Sequence, residues 1–240
     1  MVSKNQIKRI ISLQQKKYRK ELGLFFVEGK KVIQELLDSN FVLEELFVTE
    51  HLFDHIPQQT LIATTDLKKI SALSNPNNAL AVFRMPEPKK IKEQGVILAL
   101  DKIRDPGNLG TIIRLCDWFG ITDLVCSEDT VDCYNPKVLQ ATMGSISRVN
   151  VSYLDLNKFL SQTKLPVFGT FMKGNNIYKT QLPNQGIIVM GNEANGISPE
   201  IEQLITDKIT IPRFGNPTES LNVATATAII LSEFRREAKK

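Results

Sequence analysis

Long apolar runs and cysteine are both scarce in this chain. No uninterrupted apolar stretch in its 240 residues approaches the ~20 residues that a bilayer-spanning helix needs. The N-terminal segment also lacks the apolar core and cleavage site of a signal peptide. The three cysteines, Cys116, Cys126 and Cys133, form no CxxC pair, which indicates buried thiols in a reducing compartment. We therefore expect a soluble, cytoplasmic protein that does not enter a membrane.

Histidine is almost absent as well. The chain has two, His51 and His55, whose spacing of four residues would suit one face of a metal site. A protein zinc site needs at least three ligands, and no further ligand is evident near this pair. We therefore predict no bound metal.

Basic residues are concentrated at the N-terminus, although the net charge of +4 is modest. All of the charged residues before Glu21 are basic: Lys4, Lys8, Arg9, Lys16, Lys17, Arg19 and Lys20. Such a segment suits the phosphate backbone of RNA or DNA. A solvated helix face that aids solubility explains the same charges equally well.

The first 88 residues have the pattern of a small α/β domain. Apolar spacing from Ile7 to Phe26 suggests a helical start, and Val27–Leu37 (VEGKKVIQELL) is typical of an amphipathic helix. Asp66 is placed to cap a helix that runs to Ile70. Short apolar runs predict strands at Glu45–Thr49, Leu61–Thr64 and Ala79–Phe83.

The stretch from Met85 to Gly95 (MPEPKKIKEQG) is charged, contains proline and has no apolar periodicity, which indicates a linker. We therefore divide the chain into a domain over residues 1–88, a linker over 89–95 and a second domain over 96–240. In the second domain, apolar strands alternate with helical stretches, which predicts an α/β fold with a mostly parallel sheet and helices on both faces. The expected strands are Val96–Leu100, Asp123–Ser127, Val149–Tyr153, Val167–Phe171, Gly186–Met190 and Lys208–Ile211.

Small and polar residues follow the last two of these strands, in Ile187–Gly196 (IIVMGNEANG) and Ile211–Ala228. Ligands of open α/β sheets bind at the carboxyl ends of strands, where glycine lets the backbone approach closely. An earlier segment, Asp101–Gly120 (DKIRDPGNLGTIIRLCDWFG), combines a strand end, a Pro-Gly turn and a helix. Within it, Asn108 is placed to cap the helix or contact a ligand, and Arg114 follows six residues later.

Three short groups of residues in the second domain together resemble the motifs of a known family. Asn108 with Arg114, Gly191-Asn192-Glu193 with Gly196, and Ser220-Leu221-Asn222 are similar, in order and placement, to the motifs of the SpoU (TrmH-like) branch of the SPOUT RNA methyltransferases. The basic start and Phe26–Leu36 (FVEGKKVIQEL) resemble the N-terminal substrate-binding domain of that family. The resemblance thus covers essentially the whole chain. Pro212–Ser220 (PRFGNPTES) is one residue longer than in many members.

The resemblance implies an enzyme that transfers the methyl group of S-adenosylmethionine to a ribose 2′-hydroxyl in RNA. It also implies a homodimer and a C-terminal SPOUT domain with a deep trefoil knot. The N-terminal domain favours ribosomal RNA over transfer RNA. A transfer RNA 2′-O-methyltransferase, and a non-catalytic RNA-binding protein associated with the ribosome, remain the alternatives.

The family motifs also imply roles for individual residues. Arg114 would act at the target hydroxyl, either as the base or by orienting the adjacent phosphate and stabilising an alkoxide. Further residues would order the site: Asn108, Glu193, Ser220 and Asn222. The cofactor would be held by Thr170, Gly191, Ile211 and Leu221, and RNA would bind the seven basic residues that precede Glu21.

Overall fold

The computed structural model describes residues 2–53, 55–215 and 220–236 of the chain. Helices and strands alternate along it in the following order: α1 (Lys4–Ser12), α2 (Lys16–Leu22), β1 (Leu24–Glu28), α3 (Lys30–Leu37), β2 (Leu43–Val48), β3 (Gln59–Leu61), α4 (Thr64–Ile70), β4 (Ala79–Arg84), β5 (Val96–Leu100), α5 (Pro106–Trp118), β6 (Asp123–Ser127), α6 (Pro136–Thr142), β7 (Asn150–Leu154), α7 (Leu156–Gln162), β8 (Val167–Asn176), β9 (Gly186–Met190), α8 (Pro199–Glu202), β10 (Asp207–Thr210) and α9 (Val223–Arg235). Short 3₁₀ helices cover Ser145–Ser147 and Ile177–Lys179.

These elements form two compact units. The first contains Met1–Pro88 and Asp132–Ser147, and the second contains Lys89–Val131 and Arg148–Lys240. Among the described residues, no helix is both long and apolar enough to cross a membrane.

The first unit is built on a four-stranded sheet in the order β1-β4-β2-β3. Strand β4 is antiparallel to both β1 and β2, whereas β3 is parallel to β2. Apolar side chains from α1, α4 and the sheet share one core, in which Ile10, Leu67 and Val82 are at most 1% exposed. Helix α1 begins with a capping box between Ser3 and Gln6, which satisfies N–H groups at its start.

The predicted helix over Val27–Leu37 is wrong in its first part. Leu24–Glu28 is a strand, paired residue by residue with β4, and the helix begins at Lys30. Gly29 separates the two with a φ of +94°, a conformation that a side chain would strain. Phe25 and Phe26 therefore belong to β1 and not to the helical start. Similarly, α4 begins at Thr64, so Asp66 lies in its first turn and is not its N-cap.

The predicted continuous domain over residues 96–240 also needs correction, because Asp132–Ser147 belongs to the first unit. Within that unit, the Tyr134 ring lies 4.7 Å from that of Phe25, centroid to centroid. Gly144 lies against Glu35 so closely that a Cβ atom would come within 2.5 Å of that side chain. Burial raises the pKa of the Tyr134 hydroxyl, which keeps it neutral among these rings.

The second unit contains a six-stranded sheet in the order β10-β8-β9-β5-β6-β7, and every neighbouring pair is parallel. This confirms the predicted α/β fold with a parallel sheet. Ile97, Val189 and Val167 point to the face covered by α7 and α8. The next residue, Phe168, packs edge-to-face against Phe234 of α9, so helices cover both faces. All three cysteines of the chain are buried, and burial raises the pKa of the Cys116 thiol.

Candidate active site

The turn between β5 and α5 positions Asn108. Asp105 is the N-cap of α5, and its carboxylate accepts the Asn108 N–H at 2.7 Å. Pro106 follows at the first helical position, where its missing N–H costs no hydrogen bond. The capping role considered for Asn108 thus belongs to Asp105, and the Asn108 amide is left to make other contacts.

The loop after β9 closes tightly on itself. The backbones of Asn192 and Gly196 exchange two hydrogen bonds of 2.9 and 2.8 Å. A Cβ atom at Gly191 would lie 2.3 Å from the Gly196 carbonyl carbon, so glycine is required there by the loop's own backbone. The Asn192 side chain accepts the Ala194 N–H and donates to the Lys102 carbonyl, 2.8 Å away. This side chain therefore connects the loop to the end of β5.

Asn222 is the N-cap of α9. Its side-chain oxygen accepts the N–H groups of Ala224 and Thr225 at 2.9 and 3.2 Å. The amide nitrogen must consequently point away from the helix, where it donates to the side-chain oxygen of Asn108 at 2.9 Å. A single residue thus starts α9 and contacts α5.

Asn108 continues this chain of hydrogen bonds. Its amide nitrogen donates to the Glu193 carboxylate at 2.8 Å. Because Asn222 is oriented by its cap, each amide has a defined direction, from Asn222 to Asn108 to Glu193. The three residues come from distant parts of the chain, and we call them the amide–carboxylate cluster.

The amide–carboxylate cluster lines a pocket of about 630 Å³. Five further residues line it to which the sequence motifs gave no site role: Arg104, Asp105, Asn192, Ala194 and Asn195. Arg104 and Asp105 could have been identified from the sequence, because they begin the RDPG turn directly before Asn108. Among the described residues that line the pocket there is no histidine or cysteine. The lining therefore offers two carboxylates, several amides and a guanidinium to a polar ligand.

Arg114 is not brought to this pocket within one chain. It lies on α5 six residues after Asn108, which corresponds to about 9 Å along the axis and roughly a third of a turn around it. Its side chain is exposed, and it is absent from the residues that line the pocket. Ser220 is exposed as well and lies two residues before the cap of α9.

Three of the four residues expected to hold a cofactor lie inside or directly after one of the neighbouring strands β8, β9 and β10, and the fourth lies beside the start of α9. Thr170 follows the last β8–β9 pair and donates its hydroxyl to the Val189 carbonyl at 3.1 Å. Gly191 directly follows β9, and Ile211 directly follows β10. Leu221 is 53% exposed beside the cap of α9. The predicted longer turn, Pro212–Ser220, includes residues 216–219, which lie outside the described part of the chain.

An ion pair lies beside the turn that leads to the pocket. The Lys102 ammonium is 3.1 Å from the Glu200 carboxylate, and this hydrogen bond raises the pKa of Lys102. The pKa of Glu200 is lowered, first by its own backbone N–H and then by Lys102. Both side chains stay charged near neutral pH.

The basic N-terminal residues divide into two groups. Arg19 was predicted to bind RNA, but its side chain is 2% exposed and donates to Asp132 and to the carbonyls of Leu13 and Gln14. That prediction is wrong, because a buried guanidinium with four hydrogen bonds serves the first unit and is closed to a ligand. Arg9 is half-buried and pairs with Glu45. The lysines are exposed: Lys4, Lys8, Lys16, Lys17 and Lys20.

Two family models match this chain. The SpoU rRNA methylase family matches residues 95–232, and the MRM3-like substrate binding domain matches residues 4–81. The first match covers more than half of the chain and contains the whole amide–carboxylate cluster. The chain belongs to the SpoU rRNA methylase family.

Relatives of this SpoU-family chain match it over nearly its full length. It is 29% identical to the 23S rRNA (guanosine(2553)-2′-O)-methyltransferase RlmP of Bacillus subtilis, over 97% of each chain. A TrmH-family protein from Porphyromonas gingivalis has a structure with a TM-score of 0.92 and 39% identity, covering 99% of this chain and 100% of that one. The AdoMet-bound rRNA methyltransferase of Sinorhizobium meliloti superposes with a TM-score of 0.87 and 27% identity, over 100% and 98%.

Family membership confirms the resemblance that the three motifs indicated. It confirms the enzyme class as well: the SpoU-family chain is an RNA 2′-O-methyltransferase, and its cofactor is S-adenosylmethionine. In the described part of the chain, no group of three or more histidine, cysteine or acidic side chains is arranged to hold a metal ion.

Proposed function

We propose that this SpoU-family enzyme methylates a ribose 2′-hydroxyl of ribosomal RNA and that the amide–carboxylate cluster orders the target ribose. The observation that supports this proposal most directly is that Asn108, Glu193 and Asn222 are hydrogen-bonded to one another and line one polar pocket. The substrate is supported by the relative from Bacillus subtilis, which acts on a guanosine of 23S rRNA, and by the substrate-binding domain over residues 4–81.

The transfer forms a bond between the ribose oxygen and the methyl carbon as the bond from sulfur to that carbon breaks. The hydroxyl proton must leave, and the products are the 2′-O-methyl ribose, S-adenosylhomocysteine and a proton. Removing that proton is what makes the hydroxyl a competent nucleophile. Our candidates for holding the cofactor are Thr170, Gly191, Ile211 and Leu221. Thr170 follows the last β8–β9 pair, Gly191 and Ile211 directly follow β9 and β10, and Leu221 precedes the cap of α9.

Arg114 is our candidate for the group beside the target hydroxyl. Because an arginine keeps its proton in proteins, we assign it to the adjacent phosphate and to the developing alkoxide, with the proton passing to water. Ser220 completes the set of residues that we place around the ribose, two positions before the cap of α9.

The enzyme is further proposed to act as a homodimer. Trp118, the single tryptophan of the chain, is 83% exposed on α5, one turn after the exposed Arg114. Tryptophan is enriched at protein–protein interfaces relative to the rest of the surface, so this face of α5 is our candidate for the dimer contact. Pairing two chains through this face would carry Arg114 of the partner subunit toward the pocket that its own chain does not reach.

Three finer features complete the proposal. The exposed lysines of α1 and α2 bind RNA, together with Arg9, and Arg19 does not. The C-terminal sheet contains the trefoil knot expected of the family, which is supported by the position of β9 between β5 and β8. We also propose a cytoplasmic location, which is supported by the relative from Bacillus subtilis.

The test is methyl transfer from labelled S-adenosylmethionine to unmodified transcripts of 16S, 23S and transfer RNA. Alkaline hydrolysis then reveals 2′-O-methylation, because a methylated ribose leaves an alkali-resistant dinucleotide. We expect label in such a dinucleotide from ribosomal RNA, and its loss with Asn108→Ala and with Arg114→Ala.

Other outcomes would change the proposal in defined ways. Label in transfer RNA alone would show that the substrate is transfer RNA and not ribosomal RNA. Bound cofactor without transfer to any RNA would contradict catalysis on free transcripts, whereas an absence of cofactor binding would favour a non-catalytic RNA-binding protein.

A further inference from the structure

Arg104 is a charged residue of the pocket to which neither the family motifs nor the proposed function assign a role. Its side chain is exposed and lines the pocket. Among the described residues of that lining it is the one positive charge, and it is accompanied by the carboxylates of Asp105 and Glu193. A polyanion that enters this pocket therefore meets one attractive charge and two repulsive ones from the residues of a single chain.

The backbone on both sides of Arg104 is held in place. Lys102 has a φ of +59°, an uncommon conformation for a lysine. Its N–H donates to the Ser127 hydroxyl at 2.8 Å, and its carbonyl accepts the Asn192 amide. Ile103 is fully buried, and its carbonyl accepts the Val131 N–H at 2.8 Å. Asp105 then caps α5, so the Cα atom of Arg104 is fixed between two anchored residues.

The side chain of Arg104, in contrast, has no structural task within the described part of the chain, where no hydrogen bond or ion pair involves its guanidinium. Its neighbour Lys102 is engaged by Glu200, so that charge is directed elsewhere. One oxygen of Asp105 and one of Glu193 are likewise occupied, by Asn108. A fixed backbone combined with an unengaged guanidinium in a pocket describes a group that is ready to bind a ligand.

We propose that Arg104 binds one of the two backbone phosphates that flank the target ribose, the one that we do not assign to Arg114, and thereby places the 2′-hydroxyl at Asn108. A guanidinium can contact two phosphate oxygens at once, which sets orientation as well as charge. This inference rests on the proposed function, because it takes the pocket to be the RNA-binding side of the enzyme.

The cofactor offers a competing anion, the carboxylate of its methionine part. None of the four residues that we assign to the cofactor lines the pocket of Arg104. We therefore assign the guanidinium to RNA, and the experiment measures both affinities.

The test compares Arg104→Ala and Arg104→Lys with Lys164→Ala. Lys164 is exposed and lies just before β8, at the amino end of the strands, whereas the pocket is at the carboxyl ends. For each protein we would measure the affinity for S-adenosylmethionine, the salt dependence of binding to a 23S rRNA transcript, and the kcat and KM of methyl transfer. Thermal unfolding reports whether the fold is intact.

For Arg104→Ala we expect the KM for RNA to rise about tenfold, as for the loss of one charge-assisted hydrogen bond. The slope of log affinity against log salt should become shallower by about 0.7 to 0.9, the value of one phosphate contact. Arg104→Lys should restore that slope while kcat stays below that of the unmodified enzyme, since the planar fork is lost. Cofactor affinity, unfolding temperature and all properties of Lys164→Ala should be unchanged.

If the unmodified enzyme is active and Arg104→Ala has an unchanged KM and an unchanged salt slope, the inference about Arg104 is overturned while the proposed function stands. A loss of cofactor affinity with an unchanged salt slope would reassign Arg104 to the cofactor and overturn it too. Absence of methyl transfer by the unmodified enzyme would count against the proposed function, and the salt slope of RNA binding would still decide whether Arg104 contacts a phosphate.

Discussion

At the scale of single residues, the site depends on the direction of its hydrogen bonds. Asn222 is oriented by capping α9, and it orients Asn108, which in turn donates to Glu193. A carboxylate can only accept, so each position in this chain of three requires its own type of group. The amide–carboxylate cluster is therefore sensitive to substitutions that preserve shape but reverse a donor.

Asn108→Asp makes such a reversal. It keeps the oxygen that accepts from Asn222 and turns a second carboxylate oxygen toward Glu193, where the two oxygens repel each other. We therefore expect the free energy of unfolding to fall by about 1 kcal/mol and most of the methyl transfer activity to be lost. Adding Glu193→Gln restores a donor opposite the new acceptor. The double variant should recover both stability and transfer, measured by thermal unfolding and the methylation assay. Recovered stability without transfer would instead give the Glu193 charge a direct part in the chemistry.

Gly191→Ala tests the packing of the loop after β9. The added Cβ atom would lie 2.3 Å from backbone atoms of Gly196 and Ile197, so the loop must shift. We expect a cost of about 1–3 kcal/mol, typical of an overpacked site, measured by thermal unfolding. Gly215→Ala is the control, because nothing lies within 4 Å of its new Cβ atom. Equal effects of the two substitutions would contradict this explanation of Gly191.

At the scale of elements, local patterns predicted some strands with their observed bounds and failed for others. Val96–Leu100, Asp123–Ser127 and Gly186–Met190 are short apolar runs bordered by polar residues or glycine, and both of their faces are buried. Strand β1 was missed because Leu24–Glu28 leads directly into a helical pattern, and its partner β4 lies more than 50 residues away.

The burial of Arg19 could not be predicted from sequence for a similar reason. Its carboxylate partner, Asp132, is 113 residues away and follows a strand of the other unit. The surrounding lysines made Arg19 look like part of one basic surface. In the candidate site, the motifs predicted Asn108, Glu193 and Asn222, whereas Arg104 and Asp105 were hidden in an ordinary turn sequence.

Glu28, at the end of β1, should make the first unit sensitive to pH. It accepts hydrogen bonds from the Ser71 hydroxyl and the Ala72 N–H, but burial outweighs them and raises its pKa above 4.5. Because the pKa of Glu28 is higher in the folded state than in the unfolded state, protonation of its carboxyl stabilises the folded protein at low pH. This stabilisation is lost as the pH rises through the pKa of the folded state. In Glu28→Gln the amide oxygen can still accept the Ala72 N–H, and the amide nitrogen can donate to the Ser71 hydroxyl, so both contacts can persist without the partly buried charge.

We therefore expect Glu28→Gln to unfold at a higher temperature than the unmodified protein at pH 7. The difference should shrink as pH falls toward 4, where the carboxyl is protonated. Glu50→Gln is a suitable control, because Glu50 is exposed and also accepts a side-chain hydrogen bond, from Asn78. A Glu28→Gln variant that is less stable at pH 7 would show that the hydrogen bonds outweigh burial.

At the scale of the whole molecule, the position of Arg114 raises the question of whether one chain contains a complete site. The amide–carboxylate cluster lines the pocket, whereas Arg114 lies on an exposed face of α5 with Trp118. Two chains that pair through this face in a closed dimer would each supply the same surface to the other. Each pocket would then combine the cluster of one chain with the arginine of its partner.

Mixing two inactive variants separates this arrangement from a site contained in one chain. We expect Arg114→Ala and Asn108→Ala each to be inactive, and to regain activity when they are unfolded together and refolded as an equal mixture. Random pairing makes half of the dimers mixed, and each mixed dimer has one intact site of two, so about a quarter of the unmodified activity should return. If both residues act within one chain, no mixed dimer contains an intact site and activity stays absent.

Trp118→Arg tests the proposed contact itself, because it places a charge on that face of α5. We expect this variant to sediment as a monomer under conditions in which the unmodified protein sediments as a dimer. An unaffected dimer would locate the interface elsewhere.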